Sequence, residues 1–101
     1  MYIVNTSFMV DPTVHERWFE MLTTKYIPFL KENGFSSVVF TRLISNDVPD
    51  HFTYSLQINI SDMAQYKQVT EELFPEYQTI AEPVFGSKVL WFTSMMKVIE
   101  Y

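Results

Sequence analysis

Two histidines, His15 and His51, are the only side chains of this 101-residue chain with an ordinary pKa near neutrality, and there is no cysteine. Without a thiolate the chain has no disulfide, no thiol nucleophile and no cysteine-type zinc site. His15 has Phe19 four residues on, so no histidine pair suited to a metal forms there. Glu16 and Glu20 are one helical turn apart and their carboxylates could hold a hard cation, but the same spacing describes a solvated acidic face, which is the reading preferred. Glu71, Glu72 and Glu76 are read in the same way, and His51, beside Asp50, as an exposed residue at a strand start. There is no Gly-x-Ser-x-Gly nucleophile turn, and Gly34 and Gly86 are too sparse to cradle a phosphate. No metal and no cofactor is expected.

Neutral polar residues make a clearer pattern. Asn5 and Ser7 occupy alternate positions of one extended stretch, and Ser55, Gln57 and Asn59 do so in another. Amides and hydroxyls donate and accept hydrogen bonds but are poor acids and bases, so these five are candidates for binding rather than catalysis. His15, Trp18 and Tyr54 join them as candidates. Asn5, His15, Trp18 and Tyr54 are the four that a cavity between sheet and helices would use for chemistry.

The elements that must position these residues read as one pattern written twice. Tyr2–Val10 is an extended stretch that stops at Asp11-Pro12, where Asp11 can cap a helix and Pro12 suits its first position. Val14, Trp18, Met21 or Leu22, Lys25 or Tyr26, and Phe29 then recur at helical spacing. Pro28 must kink or restart that helix before Asn33-Gly34 ends it. A second strand is expected over 35–45, and a polar connector over 45–50. The second copy begins with the cleanest alternation in the chain. Phe52, Tyr54, Leu56, Ile58 and Ile60 share one face, and Thr53, Ser55, Gln57 and Asn59 the other. Ser61 or Asp62 caps the next helix, Pro75 opens a further helical piece to about Ala81, Glu82-Pro83 closes it, and a last strand follows over 88–100.

This order, βαββαβ, specifies a ferredoxin-like α+β fold, a four-stranded antiparallel sheet with two helices on one face, as a single domain over residues 1–101. Right-handed crossovers put the first and third strands side by side in the centre. The Phe52-to-Ile60 row faces the helices, so Thr53, Ser55, Gln57 and Asn59 line an open face, with Ile3, Asn5, Ser7 and Met9 beside them. The facing of Arg42 and Trp91 stays open, because a shift of one residue reverses it.

Composition narrows the function classes. With 7 basic against 12 acidic residues the net charge is −5, which excludes the lysine- and arginine-rich footprint of a nucleic-acid binder. No apolar run approaches the roughly 20 residues that span a bilayer, and Met1 to Pro12 lacks the basic start of a signal peptide, so a cytoplasmic, soluble protein is expected. Aromatic residues make up 17% of the chain, a heavy apolar load for so small a core, and a second copy covering the open face would absorb it.

Taken together, Tyr2-Ile3-Val4-Asn5, Trp18, Tyr26-Ile27-Pro28, Gly34-Phe35, Thr53-Tyr54-Ser55 and Phe85-Gly86 before Lys88-Val89 give a pattern that spans nearly the whole chain. It resembles a bacterial domain-of-unknown-function family with the dimeric α+β-barrel form of the ferredoxin-like fold. The resemblance implies a homodimer whose two sheets face each other around a barrel-like space. The wider superfamily includes haem-degrading and quinone-forming monooxygenases and small isomerases. Haem-degrading members use a first-strand asparagine, a tryptophan and a second-helix histidine. Asn5 matches the first, but residues 62–81 contain no histidine, which speaks against that chemistry. Tyr26 also stands where relatives often carry histidine before Ile-Pro. The function expected is that of a homodimeric structural or small-ligand-binding domain; the alternative is a cofactor-independent enzyme of the monooxygenase or isomerase type.

Overall fold

Alternation dictates the sheet. The computed structural model describes residues 1–44 and 50–101, and in it β1 (Tyr2–Val10) and β3 (Phe52–Ile60) carry the same burial pattern, every second residue enclosed from Val4 and from Tyr54 onward. Two shorter-than-expected strands flank them, β2 (Val38–Arg42) and β4 (Val89–Lys97). The order is β2-β3-β1-β4, antiparallel throughout. The expected polar connector lies, over 45–49, outside the described residues.

The helices pack on the face that carries Val4, Phe8, Val10, Leu56, Ile58 and Ile60. The first helical layer opens later than Asp11-Pro12 suggests. Asp11 Oδ1 accepts from the Thr13 amide (2.8 Å) and hydroxyl (2.6 Å), and the Val14 amide donates to the Asp11 carbonyl. These bonds, Thr13's hydroxyl foremost, hold the Asp11 carboxyl below its usual range. Its oxygens close a turn, and α1 (His15–Met21) begins only after it.

Both halves then handle a proline alike. A π-helical turn, Leu22–Tyr26, leads into α2 (Ile27–Glu32), whose first turn holds Pro28. A second, Gln68–Leu73, follows α3 (Met63–Lys67) and leads into α4 (Phe74–Phe85), with Pro75 in its first turn. Proline cannot donate to the carbonyl four residues back, and a widened turn before it lets the chain continue without that bond. The first helix therefore restarts rather than breaks. It ends at Gly34 (φ 92°), where the Phe35 amide donates to the Leu30 carbonyl and the Gly34 amide to that of Lys31. That paired C-terminal stop buries Phe35 against Leu30 and takes it out of β2.

The second helix starts as expected, with Asp62 accepting from the Gln65 amide (2.9 Å) while Gln65 accepts from the Ser61 amide (2.6 Å). It does not end at Glu82-Pro83. Pro83 lies inside α4, which runs on to Phe85 and stops at Gly86 (φ 54°). A proline inside a helix costs about 3 kcal/mol, and burial of Phe85 against the core, about 1.5–3 kcal/mol, offsets most of it.

Register settles Arg42 and Trp91. Arg42 pairs with Tyr54 and Trp91 with Phe8, so both side chains stand on the helix side. The Arg42 guanidinium lies 4.5 Å from the Phe52 ring centre, and Trp91 meets Phe74 edge-on at 4.6 Å. The molecule is only 19 Å through its thinnest direction, two layers deep. Among the described elements, the helices cover one side of the sheet.

Candidate functional site

The eight candidate residues fall on opposite sides of the sheet. Asn5, Ser7, Ser55, Gln57 and Asn59 are together on the open face, each half-buried. Register places Asn5 opposite Gln57 and Ser7 opposite Ser55 on the two central strands. Ser55 Oγ donates to Asn5 Oδ1, and Asn5 Nδ2 donates to Ser7 Oγ at 3.3 Å. Asn59 Nδ2 turns away to Ser37 Oγ at 2.5 Å, leaving Asn59 at the edge of the group. Gln57 sits between Asn5 and Val39 with no side-chain partner among the described residues. The chemistry on offer is neutral donation and acceptance. Nothing in this group moves a proton at neutral pH.

The flanking strands frame that polar centre. β4 brings Leu90, Phe92, Ser94 and Met96 to the open face opposite Met9, Ser7, Asn5 and Ile3, and β2 brings Val39 and Thr41. Val39 is 50% exposed, Leu90 55%, Phe92 58% and Met96 37%. The face is thus polar in the middle and apolar at its margins.

His15, Trp18 and Tyr54 lie on the helix side. The first turn of α1 carries His15 over the end of β3, where its Nε2 lies 2.7 Å from Tyr54 Oη and its ring stacks on Phe52 at 4.0 Å. Loss of solvent, and then the Arg42 charge, push the His15 pKa below 6.5, with Glu16 opposing. A shallow cleft of about 390 Å³ between Pro12, Glu16, Arg17 and Phe52 lies beside it. Among the described residues no carboxylate is hydrogen-bonded to the other ring nitrogen, so the pair lacks the third group that orients a catalytic histidine.

Trp18 is 0% exposed. Its Nε1 donates to Tyr77 Oη at 3.0 Å, and its ring packs on Phe8 and Tyr54 at 5.2 and 5.1 Å. Burial pushes the Tyr77 hydroxyl up to about 12, against the Trp18 hydrogen bond, with Glu82 adding to the rise. Tyr26, beside Tyr77 at 5.4 Å, is raised as well, chiefly by burial. Both stay neutral phenols. Trp18 is therefore a core anchor whose one polar atom is satisfied.

Sequence reasoning missed a cleft of about 310 Å³ between the end of α4 and β4, walled by Tyr77, Glu82, Phe85 and Trp91. The missing signal was the phase of β4. Once Val89 faces the core, Trp91 follows it to the helix side and Phe92 goes to the open face. Among the described residues there is no group of three His, Asp or Glu side chains placed to hold a metal, and no helix is long and apolar enough to cross a membrane.

Comparison with curated proteins gives no match. Among solved structures, an ethyl tert-butyl ether d (ethd) family protein from Bacillus halodurans superposes with a TM-score of 0.69 at 10% identity, over 98% of this chain and 100% of that one. A dimeric ferredoxin-like protein from an uncultured marine organism does so at 0.61 and 13% identity, over 99% and 97%. The de novo designed protein Foldit4 reaches 0.60 at 10% identity, over 97% and 98%. Likeness at such identities carries the fold alone, and the fold is ferredoxin-like. The model of the family described as Domain of unknown function (DUF4286) matches residues 1–99, and the chain belongs to that family.

Proposed function

We propose that this chain is a homodimeric small-ligand-binding domain whose two open sheet faces pack against each other. The observation that carries the reading is the arrangement of that face, with Val39, Leu90, Phe92 and Met96 exposed around the hydrogen-bonded Asn5, Ser7 and Ser55. Exposed apolar side chains gathered on one face in this way support an interaction site. Two sheets pack about 10 Å apart, and a two-fold axis lets one face meet itself. Most interfaces are apolar in the centre and polar at the rim. The reverse order here lets the margins exclude solvent while the centre keeps unfilled donors and acceptors, Gln57 foremost. A small polar molecule held between Asn5, Ser7, Ser55 and Gln57, with Asn59 at the edge, fits such a centre.

Light scattering at micromolar concentration tests the dimer. A dimer that Phe92→Glu converts to monomer supports the reading; a monomeric parent chain overturns it. A crystal structure of that dimer would test the ligand part, by density enclosed between Asn5 and Gln57 of the two copies.

One observation favours a second reading, a cofactor-independent enzyme of the monooxygenase or isomerase type. The short contact between His15 Nε2 and Tyr54 Oη beside an open cleft is the arrangement a proton-transferring pair would need. Alanine at Asn5, His15, Trp18 and Tyr54, each assayed on an identified substrate, tests it. Full activity in all four variants rules it out.

A further inference from the structure

The cleft between α4 and β4 is independent of the open face, since it lies on the other side of the sheet. From its walls we infer that it is a binding site for a small organic monocation, of the quaternary or primary ammonium class. Three features converge on positive charge. The first is aromatic: Tyr77, Phe85 and Trp91 line the cleft, and the edge-on contact of Trp91 with Phe74 props the indole against the helix. Ring faces attract a cation through their quadrupole, most strongly when solvent is partly excluded.

The second feature is a carboxylate. Among the described residues of the lining, Glu82 is the one acidic side chain and there is no basic one. One of its oxygens accepts from Gln78 Nε2 at 3.3 Å, and the other has no partner among the described residues. The nearest lysine in sequence, Lys88, is turned the other way, donating to Thr13 Oγ1 at 3.3 Å next to the Asp11 carboxylate. It therefore leaves the Glu82 charge uncompensated.

The third feature is the helix itself. α4 has 12 residues and ends at Gly86, which also lines the cleft, so the carbonyl-bearing end of the helix dipole points toward it. An anion would meet a carboxylate and the negative helix end together. A neutral apolar molecule would draw nothing from the Glu82 charge or from the helix end. A compact cation satisfies all three walls, and about 310 Å³ accommodates a group the size of choline.

The test titrates choline, and separately its neutral carbon isostere dimethylbutanol, into the full chain at constant ionic strength. Proton–nitrogen NMR spectra follow the Trp91 indole N–H and the Gly86 amide. The expected result is a saturable shift of both with choline, and binding of the neutral isostere about tenfold weaker. Glu82→Gln is expected to weaken choline by about the same factor while leaving the isostere unchanged. Trp91, being 40% exposed, can be replaced without opening the core, and Trp91→Leu is expected to weaken choline as well, read at Gly86. Equal binding of the two probes, an unchanged affinity in Glu82→Gln, or the absence of a saturable shift overturns the assignment. None of these results bears on the sheet-face dimer, which light scattering reads on the same sample.

Discussion

The two faces of the sheet are built from the same four strands, yet they do different work. On the helix side β3 offers Tyr54, Leu56, Ile58 and Ile60, all buried; on the open side it offers Thr53, Ser55, Gln57 and Asn59, all half-exposed. β1 divides in the same way, with Phe8 and Val10 against Ser7 and Met9. β4 breaks the symmetry. Its helix-side row runs from a buried Val89 to a partly exposed Trp91 and Met95, and its open-side row presents Leu90, Phe92 and Met96 to solvent. The comparison teaches that the core is built by the two central strands and the helices on one side of them, with Val89 the buried contribution of β4. The fourth strand carries surplus apolar surface on both of its sides, and each side is a candidate for a different occupant.

The strongest way to break this comparison is to attack the two faces with the same kind of truncation. Phe8→Ala, at a position with no exposure that packs on Trp18 and Tyr77, is expected to cost about 3–5 kcal/mol in urea unfolding. Gln57→Ala, measured in a Phe92→Glu background so that association does not enter, is expected to stay within about 0.5 kcal/mol. Comparable losses at both positions would mean that the open face is part of the folding core.

The second test asks whether the open face serves association. Phe92→Glu is expected to weaken the proposed dimer by about 3 kcal/mol or more, because a symmetric interface would bury the new charge twice. Light scattering across a dilution series reads the shift. Trp91→Leu alters the neighbouring residue on the opposite side, and the dimer is expected to survive it. If the two variants dissociate the dimer equally, the faces are not distinct in function.

Much of this division was legible in the chain. Alternation over Phe52–Ile60 fixed the facing of both central strands, because a period of two leaves no other solution once one row is apolar. The strand candidates could be sorted by side from that alternation, but Asn5 could not share a helix-side cavity with His15, Trp18 and Tyr54, because the same period of two puts it on the open face. Asp11 caps its turn through Thr13 rather than a helix, and that choice between two local hydrogen-bond patterns has no signature in residue type. Pro83 misled in the other direction. A proline usually ends a helix, and only the burial of Phe85, a long-range contact, shows that this helix continues. The α4–β4 cleft was invisible for a related reason. In Val89–Lys97 both alternate rows are largely apolar, so the pattern does not say which one turns inward.

Smaller effects sharpen the contrast between core and periphery. Asp62→Ala removes the cap of the second helix and is expected to cost about 1 kcal/mol, read by thermal unfolding. That is well below the cost of Phe8→Ala, as a helical layer held by packing rather than by its ends requires. A loss as large as that of Phe8→Ala would show that the cap, not the core, holds the layer in place.

The smallest effect belongs to His15, at the margin of the helix side. Its folded pKa is lowered, first by desolvation and then by Arg42, while Glu16 pulls it back and Tyr54 Oη holds its Nε2. The unfolded chain therefore takes up a proton more readily than the folded one, and stability rises with pH wherever this difference acts. The His15 contribution is present above about 6.5 and is lost as pH falls toward the folded value. Urea midpoints at pH values either side of that point are expected to fall on acidification, and His15→Gln is expected to flatten the slope by the part that His15 supplies. Arg42→Gln should flatten it less, because its charge is the secondary cause. An unchanged slope in His15→Gln would show that the imidazole gains its proton as easily in the folded protein as outside it. The short contact with Tyr54 would then be an outward-facing bond on the rim of the sheet rather than part of its helix-side packing.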